Sequence, residues 1–172
     1  MRKLNHSQNN IHFKNGLRLV KWWRYHQQIT SGRFSNQKGA SKVPSFLLDL
    51  LCANAHLQAP HNNSYPELLY KWFRHLTQMA QKRTPIHFGN MNHSVINADA
   101  DWCVIDPKDA TNNVVANWAP HKVKELTIWL QRSRDLMAQA IHHDSDGRHD
   151  DSLKCLKALF GPSIKTQCKH LT

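Results

Sequence analysis

Nothing in this sequence approaches the roughly 20 consecutive apolar residues that a membrane-crossing helix needs. The opening segment, Met1 to Asn10, is polar and lacks the apolar stretch of a signal peptide. Together these absences lead to the expectation of a cytoplasmic protein with no membrane partner. Cysteine occurs four times, at Cys52, Cys103, Cys155 and Cys168, never in Cys-x-x-Cys spacing. Neither a zinc knuckle nor a disulfide scaffold is signalled, and thiols set in or beside apolar runs are expected to be reduced and mostly buried. His142, His143 and His149 lie near Cys155, but at no standard ligand spacing, so no metal site is expected there. No internal repeat is visible. Acidic residues are scarce: 12 Asp and Glu stand against 23 Lys and Arg, a formal charge of +11. Such an excess attracts polyanions, and nucleotides or nucleic acid are the natural candidates, although a basic surface kept for solubility alone would look the same. The charge predicts weak, salt-sensitive and sequence-independent binding to duplex RNA or DNA.

What is present is helical periodicity. A chain of 172 residues is long enough for one domain with a real core. Residues 13 to 29 read as a helix in which Phe13, Leu17, Val20 and Trp23 or Arg24 recur on one stripe while Lys14, Arg18, Lys21 and Tyr25 fall on another. Thr30 to Lys42 is a polar loop. Pro44 then opens a second helix whose Phe46, Leu47, Leu50, Leu51 and Ala55 form an almost fully apolar surface. Ser64, with Glu67 three residues on, caps a third helix through Leu68, Leu69, Trp72, Phe73, Leu76, Met79 and Ala80, with Lys71, Arg74, His75 and Lys82 on its opposite face. From Thr84 to Pro107 the helical period disappears. Pro85 to Phe88 and Trp102 to Ile105 suggest a small hairpin or two extended segments. A fourth helix runs from Pro120 to about His142, a charged turn covers Asp144 to His149, and a last helix, Asp150 to Phe160, stops at Gly161-Pro162. The expected fold is all-α, a bundle of about five helices with a small extended or hairpin element. Its parts are a polar N-terminal segment (1–12), a helical domain (13–162) and a tail (163–172).

Four blocks stand out in order: Leu17-Arg18-Leu19-Val20-Lys21-Trp22-Trp23, Val43-Pro44-Ser45-Phe46-Leu47-Leu48-Asp49, Trp102-Cys103-Val104-Ile105-Asp106-Pro107 continuing to Asn112-Asn113-Val114, and Leu156-Lys157-Ala158-Leu159-Phe160-Gly161-Pro162. Over roughly residues 13 to 162, this arrangement resembles the helical C-terminal lobe of the superfamily of 2'-5'-oligoadenylate synthases, cyclic GMP-AMP synthase and bacterial cyclic-oligonucleotide synthases. The resemblance implies a helical nucleotide-binding lobe and a place in antiviral defence. In those enzymes the metal carboxylates belong to a separate N-terminal lobe marked by Gly-Ser and then Asp-x-Asp or Glu-x-Asp. This sequence has no Gly-Ser and is too short for two lobes. Asp99 and Asp101 have the Asp-x-Asp spacing but follow the Lys21 block, so they read as a loop. No catalytic and no metal-ligating residue is therefore expected, and Mg²⁺ is expected only with a separate catalytic lobe.

By the same resemblance, Lys21 reaches the phosphates of a donor nucleoside triphosphate, with Ser45 and Phe46 beside it; Arg18, one turn before Lys21, adds a second cation. The chemistry is sensible. An ammonium neutralises phosphate, a hydroxyl and free amides at a helix N-terminus bind its oxygens, and an aromatic face stacks on a base. The ordinary alternative makes Lys21 and Arg18 solvated helix positions and Phe46 a core residue. The loop of Asp106, Pro107, Asn112 and Asn113 has a mainly structural explanation, since Pro107 fixes the backbone and the polar side chains satisfy loop amides. The leading expectation is a substrate-binding lobe of a nucleotidyltransferase, not an enzyme by itself. Its alternative is a stand-alone, non-catalytic module for double-stranded RNA, a nucleotide or a partner nucleotidyltransferase.

Overall fold

In the computed structural model, which describes residues 2–30, 43–58, 64–88 and 100–164, five helices and one small hairpin follow one another. They are α1 (Arg2–Thr30), α2 (Ser45–Gln58), α3 (Tyr65–Lys82), β1 (Ile105–Asp106), β2 (Asp109–Asn113), α4 (Pro120–Ser145) and α5 (His149–Phe160). The architecture is the mostly helical one that the periodicity predicts. The loop expected from Thr30 to Lys42 lies, from residue 31 onward, outside the described residues. Helix α1 begins at Arg2, well before the amphipathic stretch that reveals it. Arg2 to His12 has no apolar spacing to announce a helix, but also no Pro or Gly to stop one, so the helix propagates through it.

Helix α3 is the centre of the core. Its buried Leu68, Leu69, Trp72, Phe73, Leu76 and Ala80 pack mainly against α4, which carries Val123, Leu126, Leu130 and Met137 inward and packs on α5 in turn. Helix α1 lies across α2, α3 and α5. Its approach to α3 is close enough to require glycine: a Cβ on Gly16 would meet Trp72 Cη2 at 2.9 Å and Leu68 Cδ2 at 3.0 Å. Trp23, Trp72 and Trp102 are fully buried. The indole N–H of Trp23 donates to Ser133 Oγ at 2.8 Å, and that of Trp102 to Thr84 O at 2.9 Å. Each bond removes the penalty of burying a donor without a partner.

On α2 the buried face is Leu47, Leu48, Leu50, Leu51, Cys52 and Ala55. Phe46, expected on that apolar surface, is instead 45% exposed. At 100° per residue it belongs to the opposite stripe with Asp49 and Ala53, and the burial of Leu47 and Leu50 turns that stripe outward. His75 is likewise drawn away from the basic outer face of α3, half-buried against Asn54 Oδ1 at 2.8 Å. The caps follow local chemistry. Ser64 Oγ accepts from Glu67 N at 3.4 Å, Pro120 occupies the first turn of α4, and α5 ends at Gly161 with φ of +88°. Beyond it Ile164, in the segment read as a tail, is buried in the core.

Between α3 and α4, Ile86 pairs in parallel with Val104, through Ile86 N to Cys103 O and Ile105 N to Ile86 O, both 2.9 Å. The antiparallel hairpin lies one step further along the chain. Ile105–Asp106 pairs with Asp109–Asn113, so the segment read as a polar loop is itself a strand. Its residues are exposed except Asn113, which explains why no hydrophobic alternation marked it. Asn113 is the clamp of this region. Its Oδ1 accepts from Val104 N at 2.9 Å and Val115 N at 3.2 Å, and its Nδ2 donates to Trp102 O at 3.0 Å. Asp106 Oδ1 accepts from Lys108 N across Pro107, and Asn112 Nδ2 donates to Asp106 Oδ2.

Candidate functional site

The candidate residues meet where α1 crosses the N-terminal turns of α2. Lys21 Nζ lies 2.6 Å from Asp49 Oδ1, and one turn later Arg24 Nη1 donates to Ser45 Oγ at 3.0 Å and to Val43 O at 2.9 Å. Successive turns of α1 thus meet successive turns of α2 in reverse order, which sets Lys21 and Ser45 about one helical turn apart along the same seam. Phe46 projects beside Ser45 with nearly half its surface open. The first amides of α2 precede Leu48 N, which bonds Pro44 O at 3.3 Å, and have no intrahelical acceptor. No acidic residue stands in this first turn, so its partial positive charge is uncompensated there.

Two features could not be read from the sequence. The guanidinium at the seam is Arg24; Arg18, the residue expected, is turned to its own helix, where Nη1 donates to Asn15 Oδ1 at 3.3 Å. In the sequence Arg24 stands only as an alternative to Trp23 on the inward stripe, and the crossing of the helices selects it over Arg18. Its Nε is buried without an acceptor among the described residues. The second feature is Asp49, the counter-ion of Lys21. The side chains of this pair are 37% and 38% exposed, so solvent screens it. Although the atoms touch, Asp49 Oδ1 has no partner in hydrogen-bond geometry, so the contact is a Coulombic pair and not an aligned bond. Beneath it, burial and the Asp49 carboxylate push the Cys52 thiol far above its ordinary value, only partly opposed by Lys21, so this thiol stays protonated and unreactive.

Asp101, Asp144 and Asp146 are each engaged in an ion pair. Asp99 lies outside the described residues; Asp101 is held by Arg83 Nε at 2.9 Å, tying the end of α3 to the Trp102 segment. Asp144 and Asp146 repeat the Asp-x-Asp spacing at the α4–α5 turn, where Asp144 meets His149 at 2.9 Å and Asp146 meets Arg148 at 2.8 Å. The Arg148 hydrogen bond holds the Asp146 carboxyl below its ordinary range. Among the described residues no three His, Cys, Asp or Glu side chains are grouped to hold a metal ion.

No protein-family profile matches the chain, and no curated protein sequence does. Its fold is found among solved structures. CdnC of E. coli MS115-1, in complex with HORMA-deltaN and again with ATP, superposes with a TM-score of 0.71 at 21% sequence identity. Each superposition covers 88% of this chain and 45% of CdnC, so the chain spans a little under half the length of that protein. At such identity the likeness establishes fold alone: the chain shares the mostly helical fold of just under half of CdnC.

Proposed function

We propose that this domain is the helical substrate-binding lobe of an oligoadenylate synthase-like or cyclic-oligonucleotide synthase-like nucleotidyltransferase, and that its α1–α2 seam helps to hold the donor nucleoside triphosphate. The observation that carries this reading is the meeting of Lys21, Arg24, Ser45 and Phe46 at the open N-terminus of α2. Two cations, a hydroxyl and unpaired helix amides form a phosphate-binding set, and the exposed ring of Phe46 offers a face to a base. Arg18 stands one turn away as a further cation. That CdnC has been solved with ATP supports a nucleotide as the ligand. The metal-binding carboxylates, and Mg²⁺ with them, belong in this reading to a separate catalytic lobe.

With one side of the cleft supplied, affinity for nucleotide is expected on the order of millimolar, because most of the buried area and the metals are contributed elsewhere. The test is an NMR titration of the ¹⁵N-labelled domain with ATP. Shifts should concentrate on residues around Lys21, Arg24, Ser45 and Phe46, and Lys21→Ala should abolish them while the spectrum stays dispersed. Shifts that persist unchanged in Lys21→Ala refute the phosphate-binding role.

A further inference from the structure

The first acidic residue of the chain is Asp49: the 48 residues before it contain nine Lys and Arg and none of the twelve Asp and Glu. The six Lys and Arg of helix α1 therefore have no carboxylate on their own helix to neutralise them. On its solvent face it also carries large apolar side chains. Trp22 is 38% exposed and Tyr25 56%, followed by exposed Ile29. At 100° per residue, Lys14, Arg18, Trp22, Tyr25 and Ile29 fall in a sector about 80° wide, and Lys14 to Tyr25 spans about 17 Å. This stripe lies on the side of α1 turned away from α3, next to the Lys21 seam but not part of it.

Trp22 is fixed in place. Its Nε1 donates to Phe160 O at 2.6 Å, where α5 ends, and its ring centroid stands 6.1 Å from that of Tyr25, tilted by 46°. The bond uses only the edge of the indole and leaves part of the ring open to solvent. Capping α5 explains why a Trp is at position 22, but neither the exposed Tyr25 nor the flanking cations. An apolar protein surface laid over these rings would also have to accommodate Lys14 and Arg18 without a carboxylate on this helix to pair them. Single-stranded nucleic acid satisfies both features, since its phosphates pair with cations while its unstacked bases lie on aromatic faces. A duplex offers only its backbone and would leave the rings unused.

We propose that the outer face of α1 is a stacking platform for single-stranded nucleic acid, with Trp22 and Tyr25 receiving bases and Lys14 and Arg18 their phosphates. Arg18 borders both the platform and the α1–α2 seam, but Trp22, Tyr25 and Lys14 take no part in that seam, so Tyr25 variants report on the platform alone. The test is fluorescence anisotropy of the intact chain with a labelled 12-nucleotide oligothymidylate and with a 12-base-pair duplex, each at two salt concentrations. The single strand should bind more tightly than the duplex. Tyr25→Ala should weaken it by at least about fivefold, the equivalent of about 1 kcal/mol of stacking. Tyr25→Phe, which keeps the ring, should bind as the parent does. Lys14→Ala with Arg18→Ala should flatten the salt dependence by about 1.4 in logarithmic slope, two phosphate contacts at about 0.7 each. Among the described residues Tyr25 makes no hydrogen bond and most of it is exposed, so its variants should remain folded even where Trp22→Ala does not. Absence of binding, equal affinity for duplex with no loss in Tyr25→Ala, or self-association abolished by Tyr25→Ala with strand binding unchanged would each overturn the proposal.

Discussion

Replacing Asp49 by Asn asks the seam directly whether it is built for phosphate. Asp49 is the only carboxylate in contact with Lys21 among the described residues, and it lies one turn along α2 from Ser45. Because the pair is more than a third exposed, losing it should change folding stability by at most about 1 kcal/mol. Its effect on an incoming anion is larger. At about 6 Å in water the carboxylate repels each phosphoryl charge by about 0.7 kcal/mol, and the freed Lys21 ammonium no longer has to leave a partner. Two nearby phosphoryl charges and the released lysine together give a gain of about 1–2 kcal/mol, roughly 5- to 30-fold in Kd for ATP. The assay is the same NMR titration, run on the parent and on Asp49→Asn with ATP, inorganic tripolyphosphate and adenosine. Affinity should rise for the two phosphate ligands and stay level for adenosine. Unchanged or weaker ATP binding, or an equal gain for adenosine, would refute a phosphate site at this seam.

The remaining predictions concern the frame that holds it and the chemistry it lacks. Gly16→Ala should destabilise the fold, since overpacking against Trp72 and Leu68, at about 1–3 kcal/mol, outweighs the helix-propensity gain of about 1 kcal/mol; a raised thermal midpoint would contradict the close approach of α1 and α3. Asn113→Ala strands Val104 N, Val115 N and Trp102 O, and should cost about 2–4 kcal/mol in urea unfolding, a loss under 1 kcal/mol being incompatible with the clamp. Burial holds the His75 imidazole below its ordinary value of 6.5, so the unfolded chain takes up the proton first. The stability this contributes is full above 6.5 and declines as pH falls through that value, so the urea midpoint should drop between pH 7.5 and 5.5, less steeply in His75→Gln; identical slopes would remove His75 from the account. Finally, the isolated domain should make no oligonucleotide from ATP or GTP with Mg²⁺, and product that survives repurification but vanishes in Asp101→Asn would overturn the reading of its carboxylates.

The sequence by itself determined the helices from α2 to α5, because their burial repeats every three to four residues and their ends carry local signals: Pro44, the Ser64–Glu67 cap, Pro120 and Gly161. Those signals act between residues close in the chain, so they are legible without knowing the fold. Lys21, Ser45 and Phe46 are singled out together only by the family resemblance that the blocks carry. What the sequence could not determine is which side chains meet across elements. Arg24 reaches Ser45 over 21 positions, Trp22 caps Phe160 over 138, and Lys21 finds Asp49 on another helix. The polar strand Asp109–Asn113 was equally hidden, since its stability comes from Asn113 bonding to Val104, Val115 and Trp102 and not from an alternating apolar face. The angle at which α1 crosses α2 and α3 decides these contacts. That angle is set where Gly16 lets α1 lie on Trp72, a fit of volumes in three dimensions that no local pattern encodes.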